Sequence, residues 1–124
     1  MIFDTDVLIQ IERGVKAVAI AFASQEERAI SAQTWMELVQ GARDKAHLKG
    51  IKSYLKRTGL EIIPIDQSIS HRAMYLMEEH SLRDGLGAGD AIIAATALVR
   101  DESLFTLNRK HFKSIRGLEL HPPK

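Results

Sequence analysis

The chain has no cysteine among its 124 residues, which excludes disulfides and thiolate-bound metals and makes a reducing cytosol its natural setting. Long hydrophobic runs are missing too. The longest apolar stretch, residues 91–99, falls well short of the roughly 20 residues needed to cross a bilayer, so no membrane partner is expected. The first apolar residues follow no basic region, so the N-terminus does not read as a secretory signal. The expected location is the cytoplasm. The five histidines, His47, His71, His80, His111 and His121, lack the paired helical spacing of a zinc site and read as surface or packing residues. The glycines of residues 84–89 precede no Lys-Ser/Thr pair, which argues against a phosphate loop and for a flexible turn. There is no internal repeat, linker or low-complexity tract.

What is present describes one globular domain over residues 1–124, with 45% apolar and 27% charged residues, close to the averages for folded domains. The net charge of +1 is unevenly distributed. Residues 43–57 hold six basic side chains against one acid, and residues 100–124 hold six against three. Basic stretches of this kind suit a polyanion, although solvated helix faces look the same in sequence.

The first nine residues set the organisation. Ile2-Phe3 is apolar, Asp4-Thr5-Asp6 is polar, and Val7-Leu8-Ile9 is apolar again. Such a run predicts a buried strand delivering Asp4 to its carboxyl end, where open α/β sheets hold ligands. Further strands are expected at 28–31, 60–65, 103–106 and 118–120. Helices are expected at 6–13, 15–24, 32–42, 45–56, 68–82, 90–99 and 108–115. Alternating strands and helices imply an α/β three-layer sandwich with a mostly parallel central sheet.

Four acids compete for two roles. Asp4 and Asp90 each stand where a helix N-cap is favoured, or each could face a shared crevice. Asp6 could cap the first helix. Glu37 lies opposite the apolar stripe Trp35, Leu38, Val39 and Ala42, beside Thr34 and Gly41. Periodicity therefore favours a solvated glutamate, unless that small-residue side faces the crevice. Asn108 follows an apolar strand much as Asp4 does, and a neutral amide can ligate a cation through its oxygen.

Four stretches resemble, in order, the acidic motifs of PIN-domain ribonucleases, most closely the VapC-type toxins of toxin–antitoxin pairs. They are Ile2-Phe3-Asp4-Thr5-Asp6-Val7-Leu8-Ile9, Glu37-Leu38-Val39-Gln40-Gly41, Gly89-Asp90-Ala91-Ile92-Ile93-Ala94-Ala95-Thr96-Ala97 and Phe105-Thr106-Leu107-Asn108-Arg109-Lys110-His111-Phe112. The resemblance implies a PIN-like fold, endoribonuclease activity leaving 5′-phosphate and 3′-hydroxyl ends, and Asp4, Glu37 and Asp90 as metal-binding carboxylates. Asn108 would complete the catalytic set, with Asp6, Thr5 and Thr106 in support and Arg109 and Lys110 on RNA phosphates. Clustered carboxylates call for a counter-charge, and oxygen-only donors favour Mg²⁺, with Mn²⁺ able to substitute. The chain departs from the family at Asn108, where many members carry an acid, and at Asp6, where Asn or Ser is common.

A small VapB-like antitoxin and a homodimer are the implied partners besides RNA. Ile9, Ile11, Val18 and Phe22 could form an antitoxin groove or simply pack in the core. Two other readings compete. In a haloacid-dehalogenase-like phosphatase, Asp4 and Asp6 would be nucleophile and acid, with Ser31 after the second strand. In a non-catalytic binding module, the acids would only be caps.

Overall fold

A computed structural model describes residues 1–123. Five short strands are β1 (Ile2–Phe3), β2 (Ala29–Ser31), β3 (Glu61–Ile63), β4 (Leu104–Phe105) and β5 (Leu120–His121). Six helices are α1 (Thr5–Glu12), α2 (Lys16–Ala23), α3 (Ala32–Gln40), α4 (Lys45–Arg57), α5 (Gln67–Asp84) and α6 (Ala88–Arg100). The sheet runs β3-β2-β1-β4-β5 and every neighbouring pair is parallel.

The strand order reverses at β1. The chain moves outward through β2 and β3, then returns to place β4 on the other side of β1. Ile2 pairs with both Ala29 and Leu104, and Phe3 pairs with Phe105. The crevice beyond the carboxyl ends of β1 and β4 is thus the switch point where such sheets receive ligands.

Alternation along β1 divides the interior into two cores. Ile2 packs with Ala29, Ile63 and Leu104 against α5 and α6. Phe3 points the other way and joins Ile30 and Phe105 against α1 to α4. Its ring lies 4.7 Å from that of Phe22 and 5.2 Å from that of Phe105. Each such side chain contributes about 1.5–3 kcal/mol through burial. Helix α6 has Ala91, Ile93, Ala94, Ala95 and Ala97 all inaccessible to solvent, which is why its middle carries no charge.

Three expected elements differ from what the sequence suggests. Residues 108–115 form only a 3-10 turn, Arg109–His111, which Asn108 precedes and which ends where Phe112 leaves the helical path at φ −120°, ψ −15°. The last strand falls at Leu120–His121, where pairing with β4 places it. Helix α6 starts at Ala88 with Gly87 as its cap, so Asp90 lies inside the first turn and is not the N-cap.

Candidate functional site

Asp4 caps α1, its Oδ1 accepting from the Thr5 backbone N–H at 2.8 Å. Its Oδ2 accepts from the Thr106 hydroxyl at 2.8 Å, and the backbone N–H of Asp4 donates to Phe105 O. The carboxyl is thereby fixed between β1 and β4, 5% exposed. Burial, then the charge of Asp6, pushes its pKa up to about 7, against the opposing bonds from Thr106 and Thr5. Thr106 Oγ1 also accepts from the Asn108 backbone N–H at 3.0 Å, which brings Asn108 to the same rim.

Glu37 reaches this rim from α3. Its Oε1 accepts from Thr5 Oγ1 at 2.5 Å and its Oε2 from Gln33 Nε2 at 2.9 Å. Thr5 Oγ1 also lies 3.0 Å from Thr34 Oγ1. A hydroxyl has one proton, and here the carboxylate takes it, leaving Thr34 to donate to Thr5. Thr34 is fully buried while Val39 is 37% exposed. The small-residue side of α3 therefore faces the crevice, the opposite of what periodicity favours for Glu37.

Asp90 is carried in by the first turn of α6. Its Oδ2 lies 3.2 Å from His111 Nδ1, so His111, exposed as expected from sequence, also belongs to the site. The three-residue step from Asn108 to His111 in one tight turn was the available signal. Burial raises the Asp90 pKa, His111 opposes this, and the charge of Glu37 adds to it. Gly89 makes the approach possible: a Cβ there would stand 2.8 Å from Glu37 Oε2 and 3.1 Å from Gln33 Nε2. The glycine is a spacing requirement and not a flexible hinge.

Asp6 sits in the first turn of α1, with its Oδ1 buried and unpartnered. Burial raises its pKa, the backbone N–H groups of Leu107 and Val7 oppose, and Asp90 adds to the rise. Four carboxylates thus feel one another along one rim. Among the described residues, none of them pairs with a lysine or arginine. No three acidic or histidine side chains there are drawn into a ready-made metal cage; Thr5 instead bonds both Asp4 and Glu37. Oxygen donors, mutual repulsion and an orphaned buried oxygen nevertheless suit a hard divalent cation.

Of the expected phosphate contacts, Lys110 is exposed, while Arg109 Nη1 donates to Pro122 O at 2.7 Å and ties down the C-terminal segment. Beside Glu37 opens a groove of about 790 Å³ between α1, α3 and α4, lined by Ile9, Ile11, Ile51 and Tyr54 with Arg13, Arg43 and Arg57. Phe22 and Val18 belong instead to the core around Phe3. Ser31 is fully buried and caps α3 through the Gln33 N–H, so it offers no hydroxyl to a phosphomonoester.

Known proteins match this chain in sequence and in fold. A family model described as PIN domain matches residues 1–118. Ribonuclease VapC1 of Rickettsia felis is 33% identical over 127 aligned positions, covering 97% of this chain and 93% of that protein. Ribonuclease VapC10 of Mycobacterium tuberculosis is 34% identical, covering 99% and 92%. A solved toxin–antitoxin complex from Klebsiella pneumoniae superposes with a TM-score of 0.80 at 35% identity, covering 94% of this chain and 93% of its counterpart. These matches leave the haloacid-dehalogenase alternative without support, and the chain belongs to the PIN-domain family, among its VapC-like members.

Proposed function

We propose that this protein is a Mg²⁺- or Mn²⁺-dependent endoribonuclease that serves as the toxin of a toxin–antitoxin pair. The observation that carries the reading is Asp4, fixed at the switch point by Thr5 and Thr106 with Asp6, Glu37 and Asp90 on the same rim. Family membership supports it, since the relatives above are named ribonucleases. Asp4, Glu37 and Asp90 would hold the cation, with Asn108 beside them. When bound, the cation supplies an activated water for attack on phosphorus and neutralises charge that develops on the phosphodiester.

The chain's own residues set the geometry. Thr5 and Gln33 aim Glu37, Thr106 aims Asp4, and His111 holds Asp90. Lys110 and the basic face of α4 attract flanking phosphates without reading bases, so selectivity among RNAs falls to shape and unpaired bases. The cytoplasm is the expected setting.

The antitoxin is read as occupying the groove beside Glu37, whose apolar floor and three arginines suit an amphipathic segment bearing acidic residues. The homodimer belongs to the same reading and would use another face. Exposed Met74 and Tyr75 on α5 supply apolar surface for it, and sedimentation would show a species of twice the chain's mass.

Incubation with total RNA, with and without Mn²⁺, followed by mapping of the new ends, tests the activity. Cleavage that persists in chelator, or ends with 3′-phosphate, would reject the proposal. A Gly89→Ala variant gives a sharper view of the rim. Its added methyl must displace Glu37 Oε2, while in the first turn of α6 alanine is no poorer a helix former than glycine. We expect RNA cleavage to fall about tenfold or more with no loss of melting temperature. Full cleavage by this variant would show that the position of Glu37 is not critical.

A further inference from the structure

We infer that Asp6 is a fourth carboxylate ligand of the cation site, supplying the charge that Asn108 does not. This rests on the reading that the rim binds a divalent cation, and goes beyond it by assigning a ligand. Both oxygens of Asp4 and both of Glu37 accept hydrogen bonds, and Asp90 contacts His111. Asp6 Oδ1 alone among these acids is buried with no partner.

The ordinary explanation for an acid at this position is already used up. Asp4 caps α1 through the Thr5 N–H, so Asp6 is not needed as a cap. A favourable interaction with the helix dipole would be met equally by an exposed carboxylate and does not explain a buried, unbonded oxygen. Buried carboxylate oxygens are retained when something satisfies them, and Asp6 Oδ1, with no hydrogen bond of its own, is open to a ligand.

The surroundings say what kind of partner. Asp6 lies against the segment after β4, where the Leu107 N–H acts on it, and it feels the charges of both Asp4 and Asp90. Leu107 immediately precedes Asn108, whose amide offers an oxygen without charge. The two positions thus approach the same end of the rim from α1 and from the β4 turn. An anion is excluded by three neighbouring acids, while a hard cation gains from each added carboxylate.

The test uses Mn²⁺ alone, without RNA, titrated into the full chain and followed by the electron paramagnetic resonance of the free ion. Wild type, Asp6→Asn, Asn108→Asp and the double variant are compared, each with its melting curve in chelator to establish folding. Asp6→Asn should weaken Mn²⁺ binding about tenfold or more. The double variant, which moves the charge to position 108, should recover most of that loss, and Asn108→Asp alone should bind more tightly than wild type. Wild-type affinity in Asp6→Asn, or a double variant as weak as the single one, would overturn the assignment while leaving the cation site itself standing. Wild-type protein that binds no Mn²⁺ would sink the cation reading and this inference with it.

Discussion

Asp4→Asn is expected to abolish RNA cleavage while making the metal-free protein more stable near neutral pH. The two effects share one cause. Asp4 is 5% exposed, and burial together with the charge of Asp6 raises its pKa to about 7. At a pH of about 8 the folded chain therefore holds an ionised carboxylate in a place that disfavours it, at a cost on the order of 4 kcal/mol relative to the unfolded chain. Asparagine removes that cost and keeps the shape. Its amide oxygen can still cap α1 through the Thr5 N–H, and its amide nitrogen can donate to Thr106 Oγ1. Allowing for the weaker bonds of a neutral group, a net gain of about 2 kcal/mol remains, roughly 6–10 °C in melting temperature for a chain of this size. Activity should fall about a thousandfold, since a lost ligand forfeits roughly 4 kcal/mol of the stabilisation a bound cation gives the transition state. Melting in chelator and an RNA cleavage assay check the two halves separately. A destabilised variant that still cleaves RNA would contradict the assignment of Asp4.

The fold was legible where a residue's environment is the same on all sides. Ile2-Phe3 and Leu104-Phe105 are apolar without alternation because the sheet is covered on both faces, and that pattern locates central strands directly. The start of α6 was not legible in the same way. Gly87 and Gly89 look like helix breakers, and Asp90 before an apolar run looks like a cap. What overrides this is a contact distant in sequence: Glu37 needs the space that a side chain at position 89 would fill. Propensity lost to packing, and only the packing partner reveals why.

The site divides along similar lines. Asp4 and Asp90 could be suspected singly, because strand ends and helix starts are known positions in an α/β sheet. Glu37 was hidden by counting apolar side chains. Thr34 is buried by its hydroxyl contact to Thr5, and a hydrophobic periodicity argument gives no weight to such a bond. The links from Thr106 to Asp4 and from His111 to Asp90 join residues 102 and 21 positions apart. No local pattern encodes pairs of that kind. The first follows from the sheet order, which brings β4 beside β1, and the second from the turn after β4 meeting the start of α6.

That arrangement also fixes how stability should depend on pH and metal. The folded-state pKa of Asp4, about 7, lies above its ordinary 3.8, and those of Asp6 and Asp90 are raised as well. The folded chain thus holds these protons more tightly than the unfolded one. Their contribution to stability is fully present below a pH of about 4 and is lost as pH rises through about 7. In chelator, the protein should melt higher at a pH of about 5.5 than at about 8. A cation reverses this order, because it binds the ionised carboxylates and must displace protons when the pH is low. At a hundred times its dissociation constant, Mn²⁺ adds about 2.7 kcal/mol, roughly 10 °C here. That full gain should appear at the higher pH and shrink sharply at the lower one. Calorimetric melts at the two pH values, with Mn²⁺ and with chelator, give the four numbers required. A Mn²⁺ shift of equal size at both would mean that the ion binds somewhere other than among these acids.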